Sequence, residues 1–192
     1  TRFKRLIRDL SNDMNKEISF SVEGAETELD KTIIENLSDP LMHIFRNAID
    51  HGIEDQETRK SIGKPAIGKI ILKAFYSGTN VFIQIIDDGG GIDPEVIRKQ
   101  AIAKGIIRKD ENLSNESIID LITYPGFSTA KTISDISGRG VGMDVVKKNI
   151  QKIQGELLIE STLGVGTTFT LKLPLTLSII DGLIVDVEDT PY

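Results

Sequence analysis

Two segments of this chain dictate how it can fold. Lys69 to Tyr76 and Val81 to Asp87 are dominated by β-branched and aromatic residues, and only Ser77-Gly78-Thr79-Asn80 separates them. Strands joined by so short a turn pair antiparallel, because a parallel return needs a long crossover. A second pair, Glu156 to Ser161 and Thr167 to Leu173, repeats the arrangement around Gly164-Val165-Gly166. Ile18, Phe20 and Val22 alternate with polar residues and add another strand. Helical patterns lie between: Glu95 to Lys104 after Asp93-Pro94, a segment capped by Ser114 running through Ile122, and Val141 to Gln154. Mixed helices and hairpins predict an α+β fold, a two-layer α/β sandwich rather than a doubly wound parallel sheet.

Composition narrows the chemistry. The chain has 192 residues, a net charge of −6 and no cysteine, which excludes disulfides and zinc thiolate sites and is compatible with a reducing cytoplasm. An acidic chain is a poor general nucleic-acid binder, yet it can hold a polyanion where a metal ion and backbone N–H groups meet the phosphates. No apolar run reaches membrane-spanning length. Phe3, Leu6, Ile7, Leu10 and Met14 recur at helical spacing among Arg2, Lys4, Arg5 and Arg8, a basic amphipathic helix suited to covering a sheet or continuing from a preceding domain. The chain opens on Thr1 and closes in an apolar, β-prone run, Leu177 to Val187, so it reads as a piece of a larger protein.

The most unusual helix is predicted over residues 40–52. Asp39 suits an N-cap, Pro40 the first helical position and Gly52 the stop, with a separate short helix, Lys31 to Leu37, ahead of it. Leu41, Ile44, Phe45, Ala48 and Ile49 fall on one arc and form ordinary core. The opposite arc gathers His43, Arg46, Asn47, Asp50 and His51, including both histidines of the chain, without lysine or glutamate filler. Such a face suits chemistry better than solvation. Residues 53–66 are polar, with Gly63-Lys64-Pro65 as a breaker, and read as a connection.

Two glycine-rich stretches accompany that helix. Asp87-Asp88-Gly89-Gly90-Gly91 stands where a strand ends and a helix is about to begin; its acidic residue can accept a hydrogen bond from an exocyclic amine while the glycines let backbone approach a ligand. Gly138-Arg139-Gly140-Val141-Gly142-Met143 opens a helix after a long Thr/Ser/Gly loop, residues 123–138, and offers free N–H groups to an anion. It is neither a Walker A loop nor a dinucleotide fingerprint.

The order of these features resembles the Bergerat-fold domains shared by histidine kinases, gyrase-type topoisomerases, Hsp90 chaperones and MutL proteins. Asn47 stands where that family has its N box, Asp87-x-Gly89-x-Gly91 its first glycine box, residues 138–142 its second, and Gly164-x-Gly166-Thr167-Thr168-Phe169 its terminal motif, over roughly residues 30–173. His43 to Glu54, Pro125-Gly-Phe-Ser-Thr129 and Ser137 to Val146 are similar, more closely, to the kinase domain of chemotaxis histidine kinases.

This resemblance implies a mixed sheet with helices on one face and a lid over the site. It implies ATP and Mg²⁺ as ligands and phosphoryl transfer to a histidine elsewhere. Asp87 would read the adenine 6-amino group, beside Gly89 and Gly91. Asn47 would offer an amide oxygen to Mg²⁺, and His43, one turn earlier, would reach the γ-phosphate or the metal. Arg46, Asp50 and His51 would lie on the phosphate side. Gly138, Arg139, Gly140, Val141, Gly142 and Met143 would meet the phosphates, Ser128 and Thr129 would stand near the γ-phosphate, and Thr168 would complete the pocket. The implied organisation is a helix arriving from a dimerisation domain (1–16), a catalytic kinase domain (17–174, lid 123–138) and the start of a regulatory domain (175–192).

The implied partners are the phosphoacceptor histidine domain of the same kinase and, through the full-length cytoplasmic protein, response regulators, a coupling protein and chemoreceptors. Nucleic acid and direct membrane insertion are not implied. Two other readings compete. One is a hydrolytic ATPase of gyrase, Hsp90 or MutL type, although those carry a glutamate where His43 stands. The other is a nucleotide-sensing module that transfers nothing. The fragment is expected to be monomeric.

Overall fold

The hairpin turn is as tight as its residues predict. Strands β2 (Gly68–Ser77) and β3 (Asn80–Asp87) pair antiparallel, with Ser77 opposite Asn80 and Ile70 opposite Asp87. The computed structural model describes residues 2–27, 31–127 and 142–175. Strand β5 (Gly166–Pro174) lies along the other side of β3, and β4 (Glu156–Thr162) completes the second hairpin. Strand β1 (Ile18–Glu23) joins β2 in parallel, so the five-stranded sheet is mixed, in the order β1-β2-β3-β5-β4.

Alternation along β3 assigns the two faces. Val81, Ile83, Ile85 and Asp87 are buried, while Phe82, Gln84 and Ile86 are only half-buried. The buried face takes the helices, as an α+β two-layer sandwich requires. Helix α1 (Arg2–Asp13) shares this core: Ile7 and Leu10 are buried, and Phe3 and Phe20 both pack on Phe45 with ring centroids 5.7 Å apart.

The central helix departs from expectation. No new helix begins at Pro40. Helix α2 (Lys31–Asn47) runs unbroken through Asp39 and Pro40 and passes into a π-helical turn, Ala48–Gly52. Proline in a helix interior costs about 3 kcal/mol. Ile33 and Leu37, however, lie in the same buried line as Leu41, Ile44 and Ala48. Each such side chain is worth about 1.5–3 kcal/mol when buried, so packing outweighs the proline. The π turn is closed by Ile53 N–H donating to the Ala48 carbonyl at 2.7 Å. Lys16 Nζ donates to the carbonyls of Ile49, Asp50 and Ile53, each at 2.7 Å, where the helix has no N–H groups left to offer.

The polar connection after it holds a helix that the hydrophobic pattern does not announce. Helix α3 (Gln56–Ser61) is capped by Asp55, whose side chain accepts from Thr58 N–H at 2.8 Å. Helix α4 (Pro94–Ala103) is capped by Asp93 and α5 (Asn115–Asp120) by Ser114; a 3₁₀ turn, Leu121–Thr123, follows. Ala101, Ile107, Ile118 and Phe127 form a small second core there. Helix α6 (Met143–Lys152) begins two residues later than its sequence pattern suggests, with Gly142 as N-cap. Residues 128–141, which carry most of the expected lid, and the tail after Leu175 lie outside the described residues.

Candidate functional site

Asp87 ends β3 on the helix-covered face and is 5% exposed. One carboxylate oxygen, Oδ1, accepts from the backbone N–H of Gly89 at 2.9 Å and of Thr167 at 3.3 Å. No other hydrogen bond to the Asp87 carboxylate is made by the described residues, and Oδ2 accepts none from them. Burial pushes the carboxyl up to about 6 against those two N–H groups, which favour the anion; the charges of Asp88 and Glu54 add to the rise.

Glycine lets three backbones converge on this carboxylate. A Cβ on Gly89 would stand 2.1 Å from the Gly52 carbonyl oxygen, and one on Gly166 would stand 2.0 Å from the Asp87 carbonyl oxygen. Gly52, the last residue of the π turn, lies against both Asp87 carboxylate oxygens, and its carbonyl accepts from Gly90 N–H at 2.9 Å. Gly91 backs onto the Thr162 carbonyl in the same way. The Gly89→Ala protein is expected to lose about 1–3 kcal/mol of stability, the usual cost of overpacking, together with ligand binding. Thermal unfolding and nucleotide titration of that variant measure both.

The register separates two neighbouring threonines. Thr167 lies opposite Asp87, whereas Thr168 lies opposite Ile86 and therefore on the other face of the sheet. Thr168, expected in the pocket, is not brought to it. Thr167 is, with its hydroxyl 3.0 Å from that of Ser161. Counting back by twos from Leu173, Leu171 and Phe169 finds it in the sequence.

Asn47, Arg46 and His43 ride on the last turns of α2. Asn47 Nδ2 donates to Met143 Sδ at 3.0 Å, tying the N-box helix to the start of α6 and leaving the amide oxygen without a hydrogen bond from the described residues. His43 is half-buried, and its Nδ1 is enclosed without a partner among the described residues. Burial, and then the charge of Arg46, hold this imidazole below its ordinary pKa despite Asp39, which favours its neutral form. Asp50 and His51 stand side by side on the π turn, 3.5 Å apart, with the imidazole well exposed.

At the start of α6 the first N–H groups have no intrahelical acceptor, and Gly142 adds no side chain to cap them. Ser128, Thr129, Gly138, Arg139, Gly140 and Val141 lie outside the described residues. No cluster of three or more His, Cys, Asp or Glu side chains fit to hold a metal by themselves occurs among the described residues. The donor set instead suits a hard cation held mainly by its ligand and water, with one amide oxygen from Asn47. The open amide oxygen of Asn47 is the donor in this set that fits such a cation.

Side chains that the sequence reading passes over support the loop from behind. Arg59, on α3, has no exposed surface and pairs with Glu54 and Asp88 at 2.9 and 2.8 Å; Lys64 pairs with Glu54 at 2.8 Å. Burial pushes the Glu54 carboxyl up, but hydrogen bonds from Lys64, from its own backbone and from Arg59, with the Lys64 charge, hold it below the usual range. The available signal was the Asp55-x-x-Thr58 cap, which marks a helix in the polar stretch.

Residues 36–177 match the family described as histidine kinase-, DNA gyrase B- and HSP90-like ATPases. The whole chain is 54% identical to chemotaxis protein CheA of Borreliella burgdorferi and spans 22% of that protein. It is 51% identical over 193 aligned residues to sensor histidine kinase CheAY of Helicobacter pylori and 49% to CheA of Bacillus subtilis, spanning 24% and 29% of them. The chain thus spans about a quarter of the length of these curated relatives. In fold it is similar to the histidine kinase domain of the blue-light activated kinase EL346 of Erythrobacter litoralis. That likeness has a TM-score of 0.52 at 17% identity and covers 90% of this chain and 58% of the other.

Proposed function

We propose that this chain, which belongs to the family of histidine kinase-, DNA gyrase B- and HSP90-like ATPases, binds Mg·ATP and transfers the γ-phosphoryl group to a histidine on a separate phosphoacceptor domain. One observation carries the reading: a buried carboxylate at the end of β3 with one oxygen occupied by backbone and the other without a hydrogen bond from the described residues. That acceptor matches the 6-amino group of adenine. Guanine would present an oxygen there, leaving two acceptors facing each other.

The other residues then take roles along the nucleotide. Gly89, Gly91 and Thr167 line the base. Asn47 would hold Mg²⁺, which supplies charge neutralisation on the phosphates. His43, Arg46, Asp50 and His51 line the phosphate side, with N–H groups from Gly142 and Met143. Phosphoryl transfer asks for alignment and charge stabilisation rather than covalent chemistry from the enzyme, and these groups provide both. Relatives named chemotaxis protein CheA support a place in chemotaxis signalling, and the proposal extends to a cytoplasmic full-length kinase working with response regulators, a coupling protein and chemoreceptors. The unit from residue 17 to 174 would be the catalytic domain, and residues 123–138 its lid.

The acceptor is not in this chain. His43 and His51 are its two histidines, and both belong to the nucleotide side of the site. Incubated alone with γ-labelled ATP, the chain is expected to take up no acid-labile phosphate; adding a histidine phosphoacceptor domain is expected to label that domain. Stable label on the chain itself overturns this assignment. The neutral imidazole of His43 favours one second reading, a base for water in a hydrolytic ATPase. Fast phosphate release without any acceptor would replace the kinase reading with that one.

A further inference from the structure

We propose that Arg59 and Lys64 form a cationic clamp that positions the base-reading loop Asp87–Gly91, making adenine recognition depend on a guanidinium with no exposed surface. The inference rests on Asp87 reading the base.

These two cations take the carbonyls of Asp88 and Gly89, while backbone bonds hold the N–H groups, Asp88 to the Lys69 carbonyl at 3.2 Å and Gly90 to the Gly52 carbonyl at 2.9 Å. Arg59 Nε donates to the Pro65 carbonyl at 2.7 Å, Nη1 to Glu54 Oε2 at 2.9 Å and to the Asp88 carbonyl at 3.1 Å, and Nη2 to Asp88 Oδ2 at 2.8 Å. Lys64 Nζ donates to Glu54 Oε1 at 2.8 Å and to the carbonyls of Asp88 and Gly89 at 3.0 and 2.7 Å. The remaining Asp88 oxygen takes the Lys69 N–H at 2.7 Å. Both carbonyls and the one side chain between Asp87 and Gly90 therefore end on the clamp or on the β2 backbone. The Gly89 N–H, together with that of Thr167, orients Asp87. A buried ion network is seldom the most stabilising way to fill a space, since apolar side chains of similar volume often do as well or better. What it supplies here is direction: a planar fork and a multidentate ammonium fix carbonyls that a hydrophobic side chain would leave free.

The clamp also sets the charge around Asp87. Asp88 on its own loop and Glu54 from the segment after the π turn are the anions that act on it. Arg59 from α3 and Lys64 from the loop after α3 neutralise both. Ile70 across β2, Gly52 on the π turn and Thr167 across β5 bring no charge. Among the described residues no cation bonds Asp87 directly. Removing a clamp cation therefore makes Asp87 harder to ionise, and removing the Glu54 charge makes it easier.

The test is the affinity of the 192-residue chain for Mg·ATP as a function of pH, for wild type, Arg59→Gln, Lys64→Gln and Glu54→Gln, with folding checked by circular dichroism. The Asp87 carboxyl titration is followed in parallel by NMR without nucleotide. Loss of either cation is expected to weaken ATP binding about tenfold or more near neutral pH and to move the Asp87 titration upward. Glu54→Gln is expected to move it downward. If Arg59→Gln does not fold, Lys64→Gln carries the comparison. Wild-type affinity and an unmoved titration in folded clamp variants overturn the proposal, as do shifts of one sign in all variants. If wild type binds no ATP while the titrations move oppositely, the clamp stands and the nucleotide reading falls.

Discussion

Replacing Asp87 by asparagine is expected to lower ATP affinity by about a hundredfold while making the free protein harder to unfold at neutral pH. Asparagine keeps an oxygen for the N–H groups of Gly89 and Thr167. It then presents an NH₂ where adenine also presents one, and two donors cannot pair. The stability change follows from linkage. The folded carboxyl sits at about 6, above the value of about 3.9 in an unfolded chain. The folded state thus favours the protonated form. That contribution is complete below the unfolded value and is lost as pH rises through about 6, leaving a buried anion at pH 7. Asparagine stays neutral and escapes this cost, so about 1–3 kcal/mol is expected to return. Unfolding curves should separate at pH 7.5 and converge near pH 4, on the order set by those values. ATP binding by wild type should weaken as pH falls through about 6, because the acceptor is then protonated. A variant that keeps ATP affinity would remove Asp87 from the base-reading role.

The second large effect is expected at Asn47. Asn47→Ala should slow phosphoryl transfer to an added acceptor domain by about 100- to 1,000-fold, the loss usual when a group organising transition-state charge is removed. Stability should change by no more than about 1 kcal/mol, because the side chain is half-buried and its described hydrogen bond runs to a weak sulfur acceptor. ATP should still bind through Asp87, but Mg²⁺ should no longer tighten that binding. Rapid-quench measurement of transfer, with ATP titrations in magnesium and in EDTA, separates the two steps. Full magnesium dependence in the alanine variant would show that Asn47 holds no metal.

Sequence reasoning reached the hairpins, the mixed arrangement and the buried arc of the central helix because each rests on local chemistry: turn residues, alternation and helical period. It erred at Pro40, where the local rule for proline is sound but the buried line from Ile33 to Ala48 decides otherwise. It missed α3 because a short helix with one buried arginine has no apolar period to detect. It chose Thr168 over Thr167 because a motif names a segment, while only the strand register says which residue shares a face with Asp87.

Asp87, Asn47 and the glycines stand out in the chain alone through the order of motifs that resembles the family's, and their roles at a nucleotide belong to the proposed function. Their assembly cannot be read from the chain. A carboxylate 5% exposed with its pKa near 6, a π turn whose Gly52 backs onto it, and an Arg59 clamp reaching Asp88 across 29 positions in the chain arise only when distant segments pack. Burial, register and partner geometry are pairwise properties of segments brought together by folding, and they decide which oxygen stays free and which form of the carboxyl prevails.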